Sequence, residues 1–67
     1  MWIKIENQDW INLGLAEMVY VYEGDEEGMC VFADIGEEIH LISSHATNEE
    51  AIDAMDTLMN CAIADSR

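Results

Sequence analysis

The sequence predicts an α+β domain, in which an antiparallel β-meander of three to five short strands is followed by one C-terminal amphipathic helix. Three observations lead to this fold class. Side chains alternate in character through most of the chain, as in strands, and short links join these runs, which suits antiparallel pairing. After residue 47 the apolar spacing becomes that of a helix. We expect the helix to pack on one sheet face and residues 1–67 to form a single domain.

Five runs of residues are predicted as strands. Their approximate bounds are residues 1–5, 10–13, 17–23, 28–34 and 38–43. The third run is the clearest, because Val19 and Val21 alternate with the larger Tyr20 and Tyr22. Polar or glycine-containing links separate the runs, and Gly36 suits a tight turn between the last two. The second run is either a short strand or an irregular extension of the chain.

The C-terminal helix is predicted over about residues 48–64, with Thr47 as its N-cap and Glu50 completing a capping box. Successive helical positions turn by about 100°, which divides the residues into an apolar half and an acidic half. The apolar half consists of Ala51, Ile52, Ala54, Met55, Leu58, Met59 and Ala62. The other half consists of Glu49, Asp53, Asp56 and Asn60. The helix is therefore expected to expose an acidic stripe.

One helix covers only one face of the predicted sheet, yet both faces of its middle strands carry large apolar side chains. Exposed apolar patches of this kind mark interaction sites, and a chain this short gains stability from extra burial. We therefore expect a homodimer, or an obligate partner, on the uncovered face. The predicted interface residues are Met18, Tyr20, Tyr22 and Phe32. The alternative is a strongly curled sheet that encloses its own small core.

The chain is strongly acidic, with fifteen Asp and Glu residues, only two Lys and Arg residues, and a net charge of −13. A field of this sign repels nucleic acid and anionic membranes and attracts basic protein surfaces, so direct nucleic-acid binding is not expected. A hydrophobic fraction of 51% argues against disorder. No secretion signal and no apolar run of membrane-spanning length are visible, which predicts a cytoplasmic protein. Cys30 and Cys61 are expected as small buried apolar side chains.

No motif predicts catalysis or metal binding, and we expect no enzymatic activity, no cofactor and no metal site. Residues 23–34 follow part of the spacing of an EF-hand calcium loop, but Glu replaces Asp at two crowded positions and the flanks are strand-like. Calcium binding is therefore a lesser alternative. His40 and His45 lack the spacing of zinc ligands. Ser43 and Ser44 lie beside His45 in sequence, which by itself does not make a nucleophile and base pair.

The acidic residues are the remaining candidates for a functional site. Asp53 and Asp56 are separated by about 4.5 Å along the helix axis, and duplex DNA carries one charge per about 1.7 Å of its axis. With "GDEE" at 24–27 and "GEE" at 36–38, these acids would together approach that density and suit a basic channel built for nucleic acid. The predicted partner-binding residues are Asp25, Glu26, Glu27, Glu37, Glu38, Glu49, Asp53 and Asp56.

The leading hypothesis is a non-enzymatic acidic protein that inhibits a nucleic-acid-binding protein or nuclease by occupying its basic surface. Two other functions stay open. A small structural or assembly subunit would act through its apolar sheet face, and Tyr20 and Tyr22 would then matter more than the acids. A protein that sequesters a small signalling molecule at a dimer interface would need a neutral or cationic ligand, because the field is negative.

The short, acidic, cation-poor chain, with the capped helix "TNEEAIDAMDTLM" behind a small meander, resembles the small phage-encoded counter-defence proteins. That class includes anti-CRISPR and anti-restriction proteins, several of which mimic DNA. The resemblance covers the whole chain in size and charge and involves no shared motif. It implies stoichiometric inhibition of a nucleic-acid-binding defence enzyme in the host cytoplasm, without a cofactor.

Overall fold

Five strands and one long helix make up the computed structural model, which describes residues 1–24 and 28–65. The elements in chain order are β1 (Trp2–Lys4), β2 (Trp10–Asn12), a short 3-10 helix (Leu13–Leu15), β3 (Met18–Glu23), β4 (Met29–Ile35), β5 (Glu38–His45) and α1 (Asn48–Asp65). The predicted α+β class, with a β-meander followed by one C-terminal helix, is confirmed. No helix among the described residues is long and apolar enough to cross a membrane.

The five strands are divided between two sheets. Strands β3, β4 and β5 form an antiparallel meander with β4 in the centre, whereas β1 and β2 pair only with each other. The second predicted run ends in the 3-10 helix because the Asn12 side chain accepts a hydrogen bond from the Gly14 backbone N–H at 3.1 Å. The Leu13 N–H donates to the Met1 carbonyl oxygen at 2.8 Å, so this turn stays in contact with the hairpin before β3 begins.

One face of the three-stranded sheet, called the inner face here, carries the core. Val19 pairs with Ala33 and Val21 pairs with Val31, so the alternation places all four side chains on this face. The helix packs across all three strands. The buried core consists of Ile5, Ile11, Leu13, Val31, Ala33, Ile42 and Ala51. The hairpin and the helix therefore both contribute to covering the inner face.

A β-bulge in β5 attaches the hairpin to the sheet. Val31 is opposite Ser43 while Phe32 is opposite Leu41, which leaves Ile42 as the extra residue. Ile42 is buried, and its carbonyl oxygen accepts a hydrogen bond from the Glu6 N–H at 3.0 Å. The strand then continues to His45, two residues beyond the predicted end.

The helix begins with the predicted cap. The Thr47 hydroxyl accepts a hydrogen bond from the Glu50 N–H at 3.2 Å. The Glu50 carboxylate accepts from the Ala46 N–H at 3.2 Å, one residue before the donor that a standard capping box uses. The first contact satisfies a backbone donor that a helix start leaves without an intrahelical partner, and the second joins the helix to the residue before its cap.

Two side chains of the helix lie outside the predicted pattern. Ile52 was placed on the apolar half, but it is exposed. Cys61 is also exposed, so the expectation of two buried cysteines is wrong for this residue, while Cys30 is buried. Each helical position turns by about 100°, which puts Ile52 and Cys61 to either side of a buried stripe centred near Ala51 and Ala62.

Candidate functional site

The molecule has two chemically different sides. The helix covers the inner face of the sheet, and its solvent side carries Glu49, Asp53 and Asp56, called the acidic helix face here. The opposite side of the molecule is the outer sheet face, which faces away from the helix. Its strand side chains include Met18, Tyr20, Tyr22, Phe32, Ile39 and Leu41.

The acidic helix face consists of three exposed carboxylates along one helix. Glu49 and Asp53 are separated by about 6 Å of axial rise, and Asp53 and Asp56 by about 4.5 Å. The helix sequence contains no Lys or Arg that could form an ion pair within it. Glu49 lies in the first turn, where the helix dipole favours negative charge. The face therefore combines a fixed spacing of like charges with full access to solvent.

Gly24 and Gly28, the two ends of the acidic loop between β3 and β4, lie at the same end of the molecule as the start of the helix. The Gly24 N–H donates to the Gly28 carbonyl oxygen at 2.7 Å, which closes the base of the loop. Gly28 in turn lies against His45, the last residue of β5, two residues before the Thr47 cap. The predicted contacts Asp25, Glu26 and Glu27 lie outside the described residues.

Glu37 and Glu38 lie at the other end of the sheet. Successive turns of a meander alternate between ends, and β4 has seven residues, which at about 3.3 Å each span about 20 Å. Both side chains are exposed. A Glu38 carboxylate oxygen lies 3.5 Å from His40 Nε2. The first turn of the helix, with Glu49, therefore lies at the same end of the molecule as Gly24 and Gly28, and Glu37 and Glu38 lie at the opposite end.

The outer sheet face is an apolar surface open to solvent. Met18 is 54%, Tyr22 67% and Ile39 64% exposed. The Tyr20 and Phe32 rings stack with their centroids 5.7 Å apart. A groove of about 360 Å³ is lined by Tyr20, Tyr22, Phe32 and Ile39. All four predicted interface residues therefore lie on this face.

Ile39 was not among the interface residues predicted from the sequence. Ile39 is opposite Asp34, which in turn is opposite Met18. The signal was present in the alternation of β5, which sets Ile39 and Leu41 on one face and His40 on the other. The strand register is what aligns that face with Met18, Tyr20 and Tyr22, and a register depends on cross-strand pairing.

A second cleft lies where the hairpin turn approaches β5. Its volume is about 390 Å³, and its lining residues are Ile5, Glu6, Asn7, Ile39, His40 and Leu41. The cleft mixes an imidazole, a carboxylate and an amide with three aliphatic side chains. It is an open depression at the edge of the sheet, next to the outer sheet face through Ile39 and Leu41.

Ser43 and His45 are brought together by the strand. Ser43 Oγ and His45 Nε2 lie 2.8 Å apart, and both residues are half-buried. A nucleophile and base pair works with a group that orients the imidazole and with donors that stabilise the oxyanion. Neither of the two clefts described above is lined by this pair. The hydrogen bond joins two neighbouring side chains on one face of β5.

The β1–β2 hairpin exposes a second aromatic surface. Trp2 and Trp10 are both exposed, and Trp10 is the cross-strand partner of Lys4.

Among residues 1–24 and 28–65, no group of three or more His, Cys, Asp or Glu side chains is arranged to hold a metal ion. Comparisons of the chain with protein families, with curated proteins and with solved structures return no match.

Proposed function

We propose that this protein is a non-enzymatic acidic binding protein that inhibits a nucleic-acid-binding protein or nuclease by occupying its basic surface. The observation that supports this function best is the acidic helix face. Glu49, Asp53 and Asp56 are exposed on a helix without Lys or Arg, on the side of the molecule opposite the apolar outer sheet face. A basic partner therefore meets these carboxylates without displacing an ion pair within the helix.

Complementary charge gives such a complex its speed and its specificity. A surface of Lys and Arg side chains attracts a chain of net charge −13 over several ångströms, and this attraction raises the association rate. Nucleic acid binds the same surface through its phosphates. The protein and the nucleic acid therefore compete for one site, which is the physical basis of inhibition by mimicry.

The acids of residues 25–27 would extend the same surface. The bases of the loop, Gly24 and Gly28, lie at the end of the molecule where the helix starts. Acids from the loop and from Glu49 onward along the helix would thus contact one partner. Glu37 and Glu38, at the opposite end of the sheet, would contact a second region of the same partner about 20 Å away.

The test uses two variants with the same change in net charge. Asp53→Asn/Asp56→Asn removes two charges from the acidic helix face, and Asp9→Asn/Glu17→Gln removes two exposed charges that lie outside the helix. Each variant and the wild type serve as bait in host lysate. Captured proteins are eluted with steps of NaCl or with duplex DNA.

The expected result is a basic nucleic-acid-binding protein that the wild type and Asp9→Asn/Glu17→Gln both retain. Asp53→Asn/Asp56→Asn should lose at least tenfold in affinity, and both DNA and salt should elute the partner. A partner that stays bound in excess DNA and in 1 M NaCl would contradict the mimicry mechanism. Recovery of the bait protein alone would favour the assembly function over inhibition.

A further inference from the structure

We infer that the outer sheet face is the interface of a homodimer, in which Tyr22 of each copy enters the groove of the other. The groove is lined by Tyr20, Phe32 and Ile39 together with Tyr22 itself. Tyr22 is the most exposed of these side chains, at 67%. The face therefore carries both a projecting ring and a depression, as a two-fold interface between identical surfaces requires.

The exposed area fits a small dimer interface. A fully exposed large side chain presents about 200 Å², so Met18, Tyr22 and Ile39 together expose about 370 Å² at their observed fractions. The half-buried Tyr20, Phe32 and Leu41 add to this area. A standard interface buries about 800 Å² per partner. The dimer is therefore expected at the weak end of specific association, with a dissociation constant in the micromolar range.

Charge favours a second copy over a basic partner on this face. The strand side chains that alternation places here are uncharged apart from the half-buried Asp34, and the exposed Glu6 carboxylate lies at the edge of the face, where it accepts a hydrogen bond from Ser44. A basic partner is drawn to the acidic helix face on the other side of the molecule. Two copies, each with a net charge of −13, approach with least repulsion where the strand side chains are almost neutral. The neutral face is thus suited to a partner of the same charge.

The dimer would carry its acidic helix faces outward on opposite sides. If the proposed function holds, each dimer would then bind two copies of its basic partner. The interface itself does not depend on the proposed function. A dimer with two bound partners and a monomer with one differ in mass, so light scattering of the isolated complex distinguishes them.

The first experiment measures the molecular mass of the wild type by sedimentation equilibrium from 5 to 500 µM, at about 0.05 M and 0.5 M NaCl. We expect a monomer and dimer equilibrium whose dissociation constant falls at high salt, because salt screens the repulsion between like charges. Binding to a basic partner should weaken with salt instead. A wild type that is monomeric at every concentration would overturn the dimer, and salt-sensitive capture of a basic partner would still support the proposed function.

Two variants locate the interface. Ile39→Ser and Leu15→Ser replace side chains that are equally exposed, at 64%, but Leu15 lies outside the three-stranded sheet. Ile39→Ser should raise the dissociation constant at least tenfold, and Leu15→Ser should leave it unchanged. Equal effects of the two variants would overturn the assignment.

A measurement on the wild type covers the case in which Ile39→Ser does not fold. Side-chain NMR spectra are recorded while the protein is diluted from 500 to 5 µM. Concentration-dependent shifts should be largest for Tyr20, Tyr22 and Phe32. Shifts confined to Trp2 and Trp10 would place the contact on the hairpin and would overturn the proposed interface.

Discussion

At the scale of single residues, Gly28 lies where the acidic loop meets the end of β5. Its φ is +82°, and a Cβ atom there would lie 2.5 Å from the His45 carbonyl oxygen. A left-handed conformation alone costs an L-residue ~1–2 kcal/mol, and the overlap with backbone adds to this. We expect Gly28→Ala to lower the free energy of unfolding by about 3 kcal/mol, measured by urea denaturation.

Gly36 provides the matched control for this substitution. Its φ is +63°, but a Cβ atom there would meet nothing within 4 Å. Gly36→Ala should therefore cost only the conformational strain of about 1–2 kcal/mol. If both variants lost the same stability, the close approach of Gly28 to His45 would not contribute, and strain alone would account for the result.

At the scale of elements, the helix depends on its N-terminal cap. The Thr47 hydroxyl accepts from the Glu50 N–H, and its loss leaves that donor without a partner in the cap. We expect Thr47→Ala to destabilise the protein by ~1 kcal/mol, which lowers Tm by about 4–8 °C in a domain of this size. Thermal unfolding followed by circular dichroism measures the change.

Thr57→Ala is the control within the same helix. Thr57 is exposed in the helix interior, where Ala has the higher helix propensity. This substitution should leave Tm unchanged or raise it by a few degrees. A fall in Tm of the same size in both variants would mean that the effect of Thr47→Ala reflects the loss of any threonine, and that the cap is unimportant.

At the scale of the whole molecule, the net charge of −13 opposes the compact state. Two like charges 10 Å apart in water repel by ~0.4 kcal/mol, and a radius of gyration of 11.3 Å confines all of the charges to a small volume. Raising NaCl from 10 mM to 0.5 M should therefore increase the free energy of unfolding by about 1 kcal/mol or more. Urea denaturation at two protein concentrations measures this, and a gain in stability that is the same at both concentrations excludes a contribution from dimer formation.

The charge origin of this salt effect is tested with Asp53→Asn/Asp56→Asn. This variant removes two of the charges, so its stability should increase less with NaCl than that of the wild type. The same slope in both proteins would indicate that salt acts through apolar burial. The result bears on folding alone, because no partner is present in the measurement.

The elements of this fold were predictable because their signals are local. Alternation located the five strands, and the Thr47 and Glu50 spacing located the start of the helix. The two-sheet arrangement was not predictable, because it depends on which strands pair. The bulge at Ile42 was also missed, because a bulge is defined by the pairing of two strands and is not visible in the sequence of either strand alone.

The candidate surfaces were predictable to different degrees. The acidic helix face follows from helical periodicity alone, and the side chains predicted there are exposed. The outer sheet face was predicted without Ile39, which joins it only through the register with Asp34 and Met18. The separation of Glu37 and Glu38 from the acidic loop follows from meander geometry, in which successive turns lie at opposite ends.

The sequence by itself determined the class of the fold, the amphipathic helix and the excess of negative charge. Periodicity and capping depend on residues close together in the chain, and net charge depends on composition alone. Tertiary structure decided where these features lie relative to one another. It set the acidic helix face and the apolar outer sheet face on opposite sides of one molecule. That arrangement depends on contacts between residues far apart in the chain, and such contacts form only when the helix and the hairpin cover the inner face of the sheet.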